Sequence, residues 1–315
     1  MTNPHHAGNE TARRSATEEE IWLLGQPSLW QYLEFIKDSV VGGTDIDPAH
    51  AAAEWRTAHT YYETLEHSES GLADTAECAP LPSRLSALTA RVTAHPTFRH
   101  THDTMPTAFG MVELDKLVVC QQSVTWTYVD VLTARLGVKP SPKALFQLCM
   151  PLDKPEAPVR GQAMGEHRFV FRSPSADFRF QEAALLRPEH MSGYTSFGPV
   201  AGMVGVSVGF GSKFLSVIKV GNRLLLHNGY HRACAMRALG VTHAPCVITP
   251  VATHDELEVT AKSSVVKNPD FYFKSHRPPL IKDYFDQKIR KSLTIHKLVR
   301  IVEVHIEVKE YLVPE

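Results

Sequence analysis

The first half of the chain carries hydrophobic residues at helical spacing. Leu29, Tyr32, Leu33 and Ile36 recur at intervals of three or four residues after Pro27, which is the pattern of an amphipathic helix. The same kind of spacing predicts further helices over 47–66, 82–94, 113–135 and 141–149.

The start of this half contains a helix-capping pattern. Thr17 is followed three residues later by Glu20, which predicts that a helix begins within EEEIWLLG. Residues 1–15 are polar and are predicted to form a disordered tail, and 16–150 a largely helical domain. The core of that domain is expected to hold the four tryptophans, Trp22, Trp30, Trp55 and Trp126.

The pattern changes after a proline-rich stretch over 151–162, which is predicted to be a linker. Short apolar runs punctuated by glycine and proline follow, and they are typical of strands. Gly221 and Asn222, between two such runs, predict a tight hairpin. A helix over 230–239 is expected to end at Gly240.

The last part of the chain is predicted to contain a helix near 280–298 and a final strand. In RIVEVHIEVKEYLV, apolar residues alternate with charged ones, which is the period of a half-buried strand. Residues 163–315 are therefore expected to form a second domain built on a mixed sheet. The predicted fold class is α+β.

Composition and charge limit the classes of partner. Hydrophobic residues make up 43% of the chain, charged residues 21%, and the formal net charge is −1. A near-neutral chain has no global attraction for nucleic acid or an anionic membrane. The five cysteines show no CxxC pair and no zinc spacing, as expected of reduced thiols in a cytosol. With no apolar run of membrane-spanning length and no signal-peptide pattern, we expect a cytoplasmic protein.

The sequence LLLHNGYHRACAMRALG, residues 224–240, is the clearest candidate for a binding site. An apolar strand leads through Asn228 and Gly229 into a helix whose first turn carries Tyr230, His231 and Arg232. The first amides of a helix have no intrahelical acceptor and lie at its positive end. A glycine lets a ligand approach, and an arginine can grip an oxyanion bidentately. From the residues alone, the stretch can be interpreted either as an anion-binding site or as a plain strand-to-helix turn.

LLLHNGYHRACAMRALGVTHAPCVI resembles the central motif of the ParB/sulfiredoxin superfamily over roughly residues 165–252. The resemblance implies a ParB/sulfiredoxin-like mixed-sheet domain after the helical one. It also implies that Asn228, Gly229, Tyr230, His231 and Arg232 contact the phosphates of ATP, ADP or CTP, with Mg²⁺ bridging them.

The resemblance further implies a catalytic base upstream of the motif, as in the ParB-like kinases. Glu182 and Glu189 are the candidates, and His231 is the third candidate catalytic residue. Tyr230 stands where a sulfiredoxin has its catalytic cysteine, which argues against sulfinic-acid reduction. No helix-turn-helix or basic DNA-binding region follows, which argues against chromosome partitioning.

Three other stretches have some features of a functional site. His95, His100, His102 and Asp103 have no regular metal-ligand spacing, and no metal site is predicted there. The glycines of 202–212 are expected to belong to a plain hairpin, since no Walker motif is present. Residues 276–300 hold seven basic and two acidic side chains, and they are expected to form an amphipathic helix with a solvated basic face.

The leading expectation is a phosphotransferase that uses a nucleotide and acts on a small hydroxylated metabolite. The alternatives are a non-catalytic nucleotide-binding switch and a nucleic-acid-binding or nuclease-like protein. Expected partners are a nucleotide and a small-molecule substrate, with no membrane partner and no strong nucleic-acid binding. Homodimer formation is left open.

Overall fold

The computed structural model describes residues 17–26, 28–152, 156–175, 177–187 and 198–314, so the predicted tail over 1–15 lies outside the described residues. The chain divides into two compact units. Unit 1 comprises the described residues of 17–152 and 213–297, and unit 2 those of 156–212 and 298–314. Helices and several sheets occur together, so the predicted α+β class is confirmed.

Strands and helices are interspersed along the whole chain. The strands are β1 (Thr17–Leu23), β2 (Cys78–Pro80), β3 (Ala108–Glu113), β4 (Ser123–Thr125), β5 (Arg160–Ala163), β6 (Arg168–Ser173), β7 (Phe178–Leu186), β8 (Met203–Phe210), β9 (Ser216–Val220), β10 (Arg223–Asn228), β11 (His243–Pro250), β12 (Arg290–His296) and β13 (Arg300–His305). The helices are α1 (Leu29–Ser39), α2 (Pro48–Ser68), α3 (Ser86–Ala94), α4 (Pro96–Thr101), α5 (Trp126–Leu136), α6 (Pro142–Cys149), α7 (Tyr230–Ala238), α8 (His254–Thr260), α9 (Ser263–Val266) and α10 (Pro269–Phe273).

The two units do not follow the predicted domains. The sequence predicted a helical domain over 16–150 and a sheet domain over 163–315, but β3 from the first half pairs antiparallel with β11 from the second. Both halves therefore contribute strands to one five-stranded sheet, with the order β10-β9-β11-β3-β2. Strands that are so far apart in the sequence carry no local pattern from which their pairing could be predicted.

The five-stranded sheet positions α7. The Gly221-Asn222 hairpin joins β9 to β10, as predicted, and α7 then crosses back to β11, which runs parallel to β9. Gly240 follows α7 with a positive φ of 76°, as predicted for the residue after a helix.

Two predicted helices are strands. The segment that begins at Thr17 is β1, the central strand of the sheet β12-β1-β4, and the 280–298 segment holds a 3₁₀ turn and then β12. In β1, four consecutive residues from Glu20 are buried, which suits a strand covered on both faces better than a capped helix. In β12, Leu293 and Ile295 are buried and alternate with exposed residues, which is the period of a strand.

The predicted helix over 113–135 exists only from Trp126 onward. Before it, Val118 makes a parallel bridge to Leu225 in β10 and an antiparallel bridge to Leu280. This extended segment therefore lies between β10 and the 3₁₀ turn. Of the four tryptophans expected in the core, Trp22 is buried and Trp30 is 66% exposed.

Unit 2 contains a three-stranded sheet in the order β13-β6-β5 and a separate hairpin of β7 and β8. Two of the four glycines of 202–212, Gly205 and Gly209, lie in β8, and the other two flank it, so they belong to a hairpin as predicted.

A buried ion cluster joins distant parts of unit 1. The side chain of Arg277 has no exposed surface and donates to both oxygens of buried Asp283 and to Glu69 Oε2 at 2.9 Å. Glu69 also accepts from Lys282 at 2.6 Å. The main-chain amide of Leu280 donates to Asp283 at 2.8 Å, so the carboxylate caps the 3₁₀ turn as well.

Asp283→Asn should lower the free energy of unfolding by about 3–5 kcal/mol, because it removes the charge that compensates buried Arg277. The measurement is urea unfolding followed by circular dichroism. Asp270→Asn is the matched control, since Asp270 and Lys274 form an exposed ion pair that contributes about 0–1 kcal/mol. Equal losses in the two variants would show that the Arg277 cluster is not a main source of stability.

Candidate functional site

The turn from β10 to α7 is built around Gly229. Leu224, Leu225 and Leu226 are fully buried, and a bulge after Leu226 lets the strand leave the sheet. Gly229 follows with a φ of 102°, and an added Cβ would lie 2.9 Å from Leu215 Cγ. Only glycine fits a positive φ and this close contact. The strand, glycine and helix predicted from the sequence are thus present in that order.

Helix α7 packs its small residues into the core. Ala233, Cys234, Ala235 and Met236 are fully buried. The first amides of α7 lie at the positive end of the helix and, by the geometry of any helix, have no partner within it. The first turn therefore has the chemistry to hold an anion through its main chain.

The side chain of Tyr230 performs a structural role. Its hydroxyl donates to the Leu226 carbonyl at 2.7 Å and accepts from the Cys120 amide at 3.1 Å. Burial, with the neighbouring Cys120 and Tyr284, raises its pKa far above the ordinary value, so the phenol stays protonated. Tyr230 ties the first turn to the segment that follows Val118, and it can serve a ligand only through its main chain.

Arg232 does not lie as the sequence predicted. Its Nη1 atom donates to the carbonyls of Leu148 at 3.4 Å, Cys149 at 3.2 Å and Lys213. Leu148 and Cys149 end α6, where carbonyls lack intrahelical donors and carry partial negative charge, so a guanidinium is attracted to them. The expected bidentate grip on an oxyanion is therefore replaced, for Nη1, by a clamp on the main chain.

His231 is held as a neutral imidazole. Its ring packs edge-on against Tyr128 with 5.2 Å between centroids, and its Nε2 atom is buried without a hydrogen-bond partner. Burial, and then the charge of Arg232, lowers the pKa of His231 to about 4. At neutral pH this side chain cannot act as a cationic acid, although an unprotonated nitrogen can accept a proton or a hydrogen bond.

Only one of the two predicted glutamate bases lies among the described residues. Glu182 lies in β7 of unit 2, exposed, and pairs across the hairpin with Ser207. Glu189 lies outside the described residues. Asn228 ends β10, opposite Ser216 in β9, and is partly buried. The structure therefore brings Asn228, Gly229, Tyr230, His231 and Arg232 together and leaves Glu182 in the other unit.

The segment over 213–215 connects the turn to a pocket that no pattern in the sequence indicated. Lys213 contacts Arg232, and Leu215 packs against Gly229. Between them the buried Phe214 lies 5.3 Å from Phe98 and 5.9 Å from His102, measured between ring centroids. Phe98 and His102 line the pocket, so Phe214 contacts the pocket wall while its chain neighbours contact Gly229 and Arg232.

The pocket has a volume of about 920 Å³ and opens broadly to solvent. Phe98 and Phe109 stack with 5.2 Å between centroids and form much of its apolar wall. His102 and Arg99 add polar groups; burial lowers the pKa of His102, which is neutral at pH 7. Such a lining suits a small molecule with an apolar ring or chain and a polar group.

The histidine-rich stretch over 95–103 contributes to this pocket. His95 begins α4 and accepts from the Thr97 amide at 3.3 Å. Among the described residues, no group of three or more His, Cys, Asp or Glu side chains has the arrangement of a metal site.

Residues 276–300 were expected to present a solvated basic face, but much of their charge is paired inside unit 1. Arg277 and Lys282 bind Glu69. Lys291 binds Glu54 at 2.7 Å, and Lys297 lies 3.7 Å from Glu18. The acidic partners come from distant parts of the chain. The positive charge exposed by residues 276–300 is therefore smaller than their own sequence suggested.

Comparison of the chain with protein-family models, with curated proteins and with solved structures finds no match. The ParB/sulfiredoxin resemblance thus stays an expectation based on the motif. Within the described part of the chain, no helix combines the length and apolar character needed to span a membrane.

The low pKa of His231 predicts a specific loss of stability in acid. The ordinary pKa of an unfolded histidine is about 6.5, so between pH 6.5 and 4 the unfolded chain binds a proton that the folded chain does not. The stability contribution of the neutral ring is complete above pH 6.5 and falls as the pH drops towards 4. When the pH is lowered from 7 to 5, the free energy of unfolding should fall in the wild type. In His231→Gln this fall should be smaller by about 2 kcal/mol.

The measurement is urea unfolding at both pH values. His254→Gln is the control, since His254 is 58% exposed, and it should follow the wild type. If His231→Gln also follows the wild type, the ring is not held neutral by burial.

Proposed function

We propose that the chain binds a nucleotide through its phosphates at the first turn of α7. The observation that carries the proposal is Gly229, whose positive φ and contact with Leu215 leave no room for a side chain at the start of a helix. Backbone amides at such a position are suited to phosphate oxygens. Arg232 acts in this proposal as a positioning residue, because its Nη1 contacts fix α6 and Lys213 against the turn.

The ligands expected from the ParB/sulfiredoxin resemblance are ATP, ADP or CTP with Mg²⁺. The five residues of the turn, 228–232, carry no carboxylate, so the nucleotide phosphates themselves would supply the oxygen ligands of Mg²⁺. Mg²⁺ would neutralise part of the phosphate charge there.

The leading activity is phosphoryl transfer to a small hydroxylated metabolite. The acceptor hydroxyl would attack the terminal phosphorus, the bond to the leaving nucleoside diphosphate would break, and a carboxylate would take the hydroxyl proton. The Phe98 pocket is a suitable place for the apolar part of the acceptor, since Phe214 packs against Phe98 and its chain neighbour Leu215 packs against Gly229. Glu182 and Glu189 remain the proposed bases, with the neutral His231 as a third proton acceptor.

The second candidate is a non-catalytic nucleotide-dependent switch. The observation in its favour is the clamp of Arg232, which binds the chain on both sides of the insertion that forms unit 2. The chain leaves unit 1 shortly after Cys149 and returns at Lys213. A ligand on the first turn of α7 would act on both of these points.

For the cellular setting we propose the cytoplasm, because all five cysteines are free and three of them are fully buried thiols. We propose no nucleic-acid ligand, since the net charge is −1 and much of the basic charge of 276–300 is paired within the chain.

Gly229→Ala should weaken nucleotide binding about tenfold or more, because the new methyl group collides with Leu215 at a positive φ and displaces the first turn of α7. The test is calorimetry with ATP, ADP, CTP and GTP, each with and without Mg²⁺. Gly240→Ala is the matched control at the other end of α7. Gly240 also has a positive φ, 76°, but its added Cβ would meet nothing within 4 Å. Equal affinity in both variants, or no nucleotide binding by the wild type, would contradict the proposal.

Glu182→Gln should lower kcat by about 10²–10⁴-fold and leave nucleotide affinity unchanged, because a general base acts in the transfer step and not in binding. ADP release is measured with a panel of sugars, polyols and hydroxy amino acids as acceptors. Glu166→Gln, an exposed change in the same unit, is the control. Full activity in Glu182→Gln would remove Glu182 as the base, and nucleotide binding without turnover would favour the switch.

A further inference from the structure

Strand β13 is an edge strand whose sequence pattern continues beyond its last paired residue. It forms one end of the sheet β13-β6-β5, and among the described residues no strand is hydrogen-bonded to its outer side. Strand β7 lies near β13, but its ladder is with β8. After His305 the alternation of apolar and charged residues runs on to Lys309, and Tyr311, Leu312 and Val313 follow as an apolar run, without strand structure.

The continuing segment exposes large apolar side chains. Ile306 is 40% exposed, Val308 62%, Tyr311 80%, and Val313 73%. Alternating apolar and charged residues are the pattern of a strand with one covered face. The segment thus has the sequence of a strand but no partner strand among the described residues.

The backbone geometry fixes which groups face outward. The amide of Ile306 donates to the His167 carbonyl at 2.9 Å, next to β6. In an antiparallel ladder, successive residues direct their N–H and C=O groups to opposite sides. His305 and Glu307 therefore direct theirs to the outer edge, where a further strand can pair.

We propose that this edge pairs with the same edge of a second copy of the chain, antiparallel and centred on Ile306. In this register Glu303, His305, Glu307 and Lys309 meet opposite charges or hydrogen-bonding partners, while Glu310 lies opposite the partner's Val302. Glu303 faces Lys309 of the partner, and His305 faces the partner's Glu307. Each pair occurs twice because the arrangement is two-fold symmetric.

The other side chains agree with the same register. Val304 faces the partner's Val308, Ile301 faces the partner's Tyr311, and Ile306 faces its own copy. Cross-strand pairs of β-branched and aromatic residues stabilise antiparallel strands. The exposed apolar residues of the segment would thus become covered.

The neighbouring registers are unfavourable. A shift that centres the pair on His305 puts Glu303 opposite Glu307, and a shift that centres it on Glu307 puts Glu307 opposite its own copy. Like charges directly opposite each other destabilise a strand pair. Of these three registers, only the one centred on Ile306 avoids a glutamate pair.

A single cysteine tests the register. Residues at a non-hydrogen-bonded antiparallel pair have Cα atoms about 4.5 Å apart, which a disulfide can span. Ile306→Cys, made together with Cys78→Ser to remove the exposed thiol, should form a disulfide dimer quickly under mild oxidation. Val304→Cys in the same background should not, because two copies of residue 304 would lie about 14 Å apart, four residues along the strand.

A mixture of Val304→Cys and Val308→Cys should again cross-link, because these two residues face each other. In solution the unmodified protein should sediment with twice the chain mass of 35.1 kDa. Lys309→Glu should shift it towards monomer, since it puts two carboxylates opposite each other, and Lys309→Arg should not. A monomeric wild type would overturn the proposal. A dimer in which Ile306→Cys does not cross-link faster than Val304→Cys would do so too, since the copies would then associate elsewhere.

Discussion

The buried guanidinium of Arg277 supports the part of unit 1 on which the α7 turn depends. It holds the end of α2, through Glu69, against the 3₁₀ turn that carries Asp283. Two residues of that region, Pro279 and Ile281, bond to the extended segment around Val118, and Val118 in turn bonds to β10. Strand β10 ends at Asn228, next to Gly229. A charge pair with almost no exposed surface thus fixes, through a chain of main-chain hydrogen bonds, the strand that delivers the candidate site.

Local patterns in the sequence predicted the local elements well and the long-range ones poorly. The strand, glycine and helix around Gly229 follow from apolar runs and glycine positions, and they lie where predicted. Strands β1 and β12 were predicted as helices, because their extended conformation is stabilised by pairing with each other and this pairing is not visible in either segment alone. The capping pattern at Thr17 and the apolar spacing over 280–298 each favour a helix locally. Pairing with a neighbouring strand overrides that local preference. The predicted domain boundary failed for the same reason, since the pairing of β3 with β11 joins segments more than a hundred residues apart.

At the candidate site the sequence predicted the strand, glycine and helix that hold residues 228–232, but not the contacts of their side chains. Tyr230 and Arg232 were expected to face a ligand, yet the hydroxyl of Tyr230 and Nη1 of Arg232 bind carbonyls and an amide of the protein itself. Those partners come from α6, the 213–215 segment and Cys120, whose proximity depends on the tertiary fold. Phe98, Phe214 and the pocket beside them were missed because the two residues lie more than a hundred positions apart in the sequence, and an aromatic residue looks the same in a core and in a binding site. Gly229 was the informative position, because its positive φ is a property of its own backbone and favours glycine there.

The insertion of the first segment of unit 2, up to residue 212, between α6 and β9 has a consequence for biosynthesis. The ribosome releases α6 before this segment, and β9, β10 and β11 only after it. When residue 152 has been made, β3 has β2 beside it but still lacks β11, its other neighbour in the five-stranded sheet. The carbonyl of Cys149 also lacks its hydrogen-bond donor at that stage, because it accepts from the amide of Leu215 at 2.8 Å in the complete fold. An open strand edge of this kind is a site of mispairing while the chain is growing. Unit 1 therefore completes its core late in synthesis, after the whole of the inserted hairpin has emerged.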